Sequence, residues 1–160
     1  MKIINLLENK QLLKEYIILC SKEWGSSKTE EEYETYANQK LINYQGKDSD
    51  NLIAVLGLVN DNNLIGFISL FKKDAEERKN LTPWYATMYV KQEYRKNGYS
   101  KILNNAILEK AKELGYNKVY LKTELINYYE KFGAKFKEVL NNKEKLYYID
   151  LTYIENNNIT

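Results

Sequence analysis

The chain has 160 residues, of which 44% are hydrophobic and 29% charged, and its formal net charge is +2. A chain of this length forms one domain that buries about two-thirds of its unfolded surface, so it needs no disulfide or metal to fold. It contains no histidine and a single cysteine, which excludes an intramolecular disulfide, a zinc cluster and a nucleophile paired with histidine. The residues before Glu8 contain no long apolar run. We therefore expect neither a secretory signal nor a membrane span, and a cytoplasmic location.

Two amphipathic helices are predicted in the first part of the chain. The first carries apolar side chains with helical spacing and ends at Trp24-Gly25-Ser26-Ser27. Thr29 and Glu32 have the spacing of a capping box, so a second helix is expected to begin there and to continue up to Gly46. Cys20 lies on the apolar face of the first helix, where we expect a buried small residue and not a nucleophile.

A hairpin of two strands is predicted next. Residues 51–59 and 64–71 are rich in β-forming residues, and Asn60-Asp61-Asn62-Asn63 joins them with residues that tolerate left-handed turn geometry. A polar loop is expected at 72–80. Pro83 then precedes a third strand, Trp84 to Val90, in keeping with the preference of proline for strand starts.

The segment from Lys91 to Ser100 is the most informative part of the sequence. It connects the third strand to a third helix, Lys101 to Leu114. The N-terminus of a helix directs N–H groups and the positive end of the helix dipole at one spot, where an anion can replace the missing acceptors. Arg95 and Lys96 add two positive charges, and Gly98 lets the backbone approach a ligand closely. This pattern predicts a site for the pyrophosphate of a nucleotide-like cofactor.

The rest of the chain completes a single domain, expected to span residues 1–154 and to be followed by a polar tail at 155–160. The third helix is predicted to direct inward Ile102, Leu103, Ala106, Ile107, Ala111 and Leu114 and to stop at Gly115. The later predicted elements are a strand at 117–122, a short fourth helix at 126–132, and a closing hairpin of strands at 135–140 and 145–151. The first of these strands should lie parallel to Trp84 to Val90, because a strand, a crossover helix and a second strand close right-handed in one sheet.

Two motifs in this region resemble the signatures of one family. Arg95-x-x-Gly98-x-Ser100 is similar to the acetyl-CoA motif Gln/Arg-x-x-Gly-x-Gly/Ala of the GNAT family of N-acetyltransferases, with Ser100 where Gly or Ala is usual. Tyr129-Glu130-Lys131-Phe132-Gly133-Ala134 resembles the family's Tyr-Glu-Lys-Leu-Gly-Phe. The resemblance implies an α/β GNAT fold, with a mixed central β-sheet of about six to seven strands, about four helices, and strands four and five splayed apart.

The resemblance also implies a co-substrate and a set of site residues. Acetyl-CoA is expected to place its pantetheine arm between the splayed strands and its pyrophosphate on the turn, without a metal. The residues implied in cofactor binding are Met88, Tyr89, Val90, Arg95, Lys96, Asn97, Gly98, Tyr99 and Ser100, with backbone contacts at Met88 and Val90. Tyr129 matches the family's tyrosine acid, which donates a proton or hydrogen bond to the departing thiolate.

The sequence does not identify the general base or the acceptor. The strand from Trp84 to Val90 contains no carboxylate, so the base is Glu124 or a water chain, and we favour the water chain. The acceptor is expected to bind against the first two helices and the loop between them, with loop 72–80 near the mouth of the cleft. Trp24, Tyr33 and Trp84 either line this cleft or fill the core.

We therefore predict transfer of the acetyl group of acetyl-CoA to a primary amine of a small molecule or peptide, by direct attack in a ternary complex. The alternative is a catalytically idle acyl-CoA-binding regulator, which needs neither Tyr129 nor an acceptor cleft. The acidic run at 30–34 is interpreted as helix capping, not as a site for a cationic acceptor. The window 91–122 holds eight Lys and Arg against three Glu, yet it lacks the aromatic pattern of a nucleic-acid module. We expect no nucleic-acid or membrane partner, and a monomer or homodimer.

Overall fold

The structure, a computed structural model, describes residues 1–45 and 51–152. This part of the chain forms a seven-stranded sheet of β1 (Lys2–Asn5), β2 (Leu52–Asn60), β3 (Asn63–Phe71), β4 (Trp84–Val90), β5 (Lys118–Thr123), β6 (Lys135–Val139) and β7 (Lys145–Asp150). The strands lie in the order β1-β2-β3-β4-β5-β7-β6. Only β4 and β5 are parallel neighbours. The helices in the same residues are α1 (Lys10–Trp24), α2 (Glu30–Gln45) and α3 (Tyr99–Glu113). The predicted α/β class and mixed sheet are confirmed.

Helices cover both faces of the sheet. Leu13 and Ile17 of α1 pack with Phe67 on one face, together with residues of α2. On the other face, Leu103 and Ile107 of α3 pack against the opposite side of β2, β3 and β4. Because helices cover both faces, nearly all residues of β2 and β3 are buried.

The two N-terminal helices begin and end where local sequence signals place them. The side chain of Asn9 accepts a hydrogen bond from the Leu12 N–H at 3.0 Å, and Gly25 ends α1. Thr29 and Glu32 exchange two bonds, from Thr29 N–H to Glu32 Oε1 at 3.0 Å and from Glu32 N–H to Thr29 Oγ1 at 3.1 Å. The predicted capping box is confirmed, and these carboxylates serve the start of α2.

The predicted hairpin is confirmed with a tighter turn. Asn60 pairs with Asn63, so only two residues form the turn, and Asp61 has a φ of 54°. The parallel pairing of β4 with β5 and the closing hairpin of β6 and β7 are also confirmed.

Three details of the predicted fold are wrong. The short edge strand β1 was not predicted, because four residues carry too little pattern to be distinguished from a loop. The fourth helix at 126–132 is only a 3₁₀ turn, Tyr129–Phe132, and Asn127 before it has a left-handed φ of 57° that no helix accepts. Ile102 and Leu114 of the third helix are 43% and 47% exposed, so they do not face the core.

The predicted end of the second helix at Gly46 and the tail at 155–160 lie outside the described residues. The domain boundary at residue 154 stays a prediction. Within residues 1–45 and 51–152, no helix is both long enough and apolar enough to cross a membrane.

Candidate functional site

The gap between β4 and β5 is the centre of the candidate site. The two parallel strands share one ladder pair, Trp84 with Tyr120, and the Tyr120 N–H donates to Pro83 O at 3.0 Å. No further pair joins them in the described residues, so the strands separate from Tyr85 onward. The splay implied by the family resemblance is therefore present.

Backbone groups of β4 point into this gap. The Lys91 N–H donates to Ile65 O on β3 at 3.0 Å, and Gly66 faces Val90 in the same register. Backbone groups alternate sides along a strand, so those of Val90 point away from β3 and toward the gap. Met88 lies two residues earlier on β4, within the bulge in the pairing of β3 with β4. These are the two positions where backbone contacts to a pantetheine arm were predicted.

The N-terminus of α3 opens at one end of the gap. Gly98 is the N-cap with a φ of 78°, and no side chain of the described residues caps the helix there. A Cβ built on Gly98 would meet no protein atom within 4 Å. Lys96 also has a left-handed φ, of 66°, so the turn curls around the helix end. An uncapped helix start beside open space fits an anion such as a pyrophosphate.

Arg95 and Asn97 hold the turn in place. Arg95 Nε donates to Val90 O at 2.8 Å, and its guanidinium lies over the Tyr89 ring at 5.5 Å. Asn97 Nδ2 donates to Tyr94 O at 3.0 Å and to Arg95 O at 3.2 Å. Arg95 therefore links the end of β4 to the turn, with its guanidinium near both the Val90 carbonyl and the Tyr89 ring.

The remaining cofactor candidates differ in position. Tyr99 and Ser100 are half-buried in the first turn of α3. The Tyr89 ring instead stacks on Phe67 at 5.4 Å and meets Trp24 edge-on at 6.3 Å. The Tyr89 side chain therefore lies on the face covered by α1, away from the predicted cofactor gap.

Tyr129 lies beside β4 at the point where the strands separate. Its ring contacts Tyr85 edge-on at 5.9 Å and Tyr128 at 4.8 Å. Burial, together with the neighbouring Tyr128, raises the pKa of Tyr129 to about 12. Its hydroxyl has no hydrogen-bond partner among the described residues, so a protonated donor is available there at neutral pH.

A cleft of about 290 Å³ lies on the α1 and α2 side of β4. The residues that line it are Tyr16, Ile17, Cys20, Ser21, Trp24, Gly25, Lys28, Tyr36, Tyr44, Phe71 and Thr87. The sequence did not decide whether three aromatics line the cleft or fill the core. Trp24 lines the cleft, Trp84 is fully buried in the core, and Tyr33 is 8% exposed and does not line the cleft. Residues of the loop 72–80 do not line it, although Phe71 directly before them does.

A chain of hydroxyl groups runs from this cleft into the sheet. Thr87 Oγ1 donates to Ser69 Oγ, which in turn shares a 2.7 Å hydrogen bond with the Tyr16 hydroxyl. Thr87 has a left-handed φ of 52° at a bulge in the pairing of β3 with β4. Sequence reasoning missed this feature. No sequence pattern indicates this contact, because Tyr16 and Ser69 are 53 residues apart in the chain.

The positions of Cys20 and Glu124 in the structure do not suit a reactive group. Cys20 is partly buried and lines the cleft, and burial raises the pKa of its thiol to about 12, which disfavours the nucleophilic thiolate. Glu124 is exposed just after β5. The cofactor gap, Tyr129 and the cleft thus lie around β4 with no carboxylate on that strand.

The chain matches the model of the acetyltransferase (GNAT) family over residues 13–134. Since the match covers most of the chain, the protein belongs to this family, whose co-substrate is acetyl-CoA. The residues present fit that group, because α3 starts without a side-chain cap, a Cβ on Gly98 would meet no neighbouring atom within 4 Å, and β4 and β5 share one ladder pair in the described residues. A search of curated protein sequences found no match.

Solved structures share the fold. The chain is 20% identical to aminoglycoside 6'-acetyltransferase type Ii, with a TM-score of 0.67, covering 94% of this chain and 97% of that one. It is 21% identical to PaiA N-acetyltransferase from Thermoplasma acidophilum in complex with coenzyme A, with a TM-score of 0.60 and coverage of 93% and 98%. A chimera of spermidine N-acetyltransferase SpeG from Vibrio cholerae and hSSAT is 19% identical, with a TM-score of 0.68 and coverage of 96% and 98%.

Proposed function

We propose that this protein transfers the acetyl group of acetyl-CoA to a primary amine of a small molecule or peptide, by direct attack in a ternary complex. The observation that carries the proposal is the separation of β4 from β5 immediately after Trp84 and Tyr120. The resulting gap has the uncapped N-terminus of α3 at one end and a lined cleft on the α1 face. Two substrates can therefore approach one point of β4 from different sides.

Acetyl-CoA supplies the thioester carbonyl that the amine attacks and the thiolate that leaves. The turn 95–100 binds the pyrophosphate through helix N–H groups and the charge of Arg95. The backbone of Met88 and Val90 holds the pantetheine arm in the gap. Binding both substrates in fixed orientation accounts for a large share of the acceleration, because it converts an encounter in solution into a step within one complex.

Tyr129 is the proposed acid. Its hydroxyl keeps its proton at neutral pH, because burial raises its pKa to about 12, and it donates to the sulfur as negative charge develops there. The proton released by the amine has no carboxylate or histidine to accept it along the cleft lining of the described residues. We assign that step to water, which carries the proton to solvent.

The names of two relatives in fold support an amine acceptor, since aminoglycosides and spermidine are amines. The test is a panel of small amines and peptides with acetyl-CoA, followed by release of free thiol and by mass spectrometry of the acetylated amine. We expect amine-dependent thiol release and CoA binding by calorimetry. CoA binding without turnover of any amine would instead favour the idle regulator, and absence of CoA binding would contradict both.

A further inference from the structure

The cleft beside Thr87 has a chemical character that the family fold does not dictate. Its lining is mostly aromatic and apolar, and it contains one charged side chain, the cation Lys28. None of the described residues that line it carries a carboxylate. This inference rests on the proposed function in one respect, because it takes this cleft to be the acceptor side.

Lys28 is held at the cleft without an ion pair. Its Nζ donates to Ser21 Oγ at 3.3 Å and to the carbonyl and hydroxyl oxygens of Ser26 at 3.3 and 3.1 Å. It also lies over the Tyr36 ring at 5.0 Å. No carboxylate of residues 1–45 or 51–152 lies within 4.0 Å of Lys28 Nζ. A half-buried cation held by neutral partners favours an anion that completes its coordination.

Two lysines of α1 are instead paired with carboxylates of α2. Lys14 forms an ion pair with Glu34, and Lys22 pairs with Glu30 at 3.4 Å. Lys28 lines the cleft and forms no such pair in the described residues. Its charge acts only weakly on the exposed Glu32, since the pKa of that carboxyl is lowered mainly by its hydrogen bonds with Thr29 and least by Lys28.

A polycationic acceptor does not fit this arrangement. Each additional positive charge on the acceptor would meet Lys28 and no lining carboxylate, and like charges in a partly buried site repel. Glu31 and Glu32 do not line the cleft. They line an adjoining hollow that shares Lys28 and Tyr36 with it, and Glu32 already accepts the Thr29 N–H. The cleft volume of about 290 Å³ is also at the lower end of the roughly 300–1,000 Å³ typical of ligand pockets.

We propose that the acceptor is a small primary amine with an aromatic or apolar body and a carboxylate, and that Lys28 binds the carboxylate. The ring system of Trp24, Tyr36 and Phe71 contacts the apolar body, while the amine points toward Thr87 on β4. Such an acceptor carries a carboxylate and no net charge, unlike the polycationic aminoglycosides and spermidine named for two structural relatives.

Matched acceptor pairs test this proposal. Phenylalanine and phenethylamine differ only by a carboxylate next to the amine, and 4-(aminomethyl)benzoate and benzylamine differ by one across the ring. Calorimetry on the protein saturated with CoA measures binding without requiring turnover. In at least one pair, we expect the acid to bind about tenfold or more tighter than the partner that lacks the carboxylate. Spermidine is expected to bind most weakly.

Three variants separate charge from packing. Lys28→Met keeps an unbranched side chain of similar length without the charge and should reduce the acid preference to within about twofold, while Lys28→Arg should retain it. Lys22→Met is the matched control, because Lys22 does not line the cleft, and it should leave the preference unchanged. Tightest binding of spermidine, no acid preference in either pair, or a preference that survives in Lys28→Met would overturn the proposal.

These outcomes are distinguishable from failure of the proposed function. If acids bind in a Lys28-dependent way but no amine is acetylated, the ligand class stands and the catalysis is wrong. If spermidine is acetylated and binds best, the catalysis stands and the ligand class is wrong.

Discussion

The Thr87 hydroxyl of β4 donates a hydrogen bond to Ser69 Oγ of β3 at the bulge in the pairing of these two strands, beside the gap. Ser69 is fully buried and also bonds the Tyr16 hydroxyl at 2.7 Å, so one serine links the strand at the site to α1. Tyr16 is only 2% exposed. The hydroxyl chain is therefore a structural support of the bulge.

The first prediction concerns the stability of this chain. Ser69→Ala should lower the free energy of unfolding by about 1–3 kcal/mol, because it removes the buried hydroxyl that joins the Tyr16 and Thr87 hydroxyls. Adding Tyr16→Phe should restore part of this loss, since removing both partners is far less costly than removing one. Urea unfolding of the two single variants and the double variant measures the coupling. Losses that simply add in the double variant would contradict a direct link between the two residues.

The second prediction concerns the turn at the start of α3. Gly98→Val should weaken CoA binding about tenfold or more, because the side chain enters the open space where the pyrophosphate is proposed to bind. The control is Gly115→Val at the other end of the same helix. Gly115 has a φ of 95° and an equally open surrounding, so the backbone strain is comparable. Calorimetry with CoA should show a loss for Gly98→Val alone, and equal affinities in both variants would remove the turn from the binding site.

Local signals in the sequence predicted much of the fold. The exchange of bonds between Thr29 and Glu32 and the left-handed Gly115 after α3 both depend on residues a few positions apart. The Arg95 to Ser100 turn follows from the same kind of signal, since its strand, glycine and helix are contiguous.

The parts that were missed depend on tertiary packing. The bulge at Thr87 brings together residues of β3 and β4, and neither strand carries a glycine or proline at that position to indicate it. Lys28 was predicted only as part of a loop, because its unpaired state depends on which carboxylates α1 and α2 bring near it. The expected fourth helix does not form because Asn127 has a left-handed conformation. Asparagine can adopt this conformation but does not require it, so the sequence alone does not indicate it.

The third prediction concerns stability at alkaline pH. Burial raises the pKa of Cys20 from 9.0 to about 12 and that of Tyr44 from 10.0 to about 12. In both groups the folded state holds the proton more tightly than the unfolded state. Their contribution to stability is therefore complete below pH 9 for the thiol and below pH 10 for the phenol, and it is lost as the pH rises toward 12. We expect the urea midpoint to fall steeply across this interval.

Tyr44→Phe checks the origin of this slope. It removes one titrating group and should make the decline between pH 10 and 12 shallower than in the parent. Urea midpoints at half-unit intervals from pH 8 to pH 11.5 are sufficient for the comparison. A decline of the same slope in both proteins would show that Tyr44 titrates alike in the folded and unfolded states.

The final prediction concerns the leaving group. Tyr129→Phe retains the ring that contacts Tyr85 and Tyr128, so packing is kept and only the hydroxyl is removed. Loss of a general acid typically lowers the rate about a hundredfold to ten-thousandfold, whereas loss of a uniform binding contact mainly raises KM. We therefore expect a large fall in kcat with the CoA Kd within about twofold of the parent. Tyr128→Phe is the matched control, because it removes the adjacent hydroxyl from the same aromatic cluster and should leave kcat within about threefold. Turnover of Tyr129→Phe within that same range would mean that Tyr129 only packs beside β4, and that water protonates the thiolate.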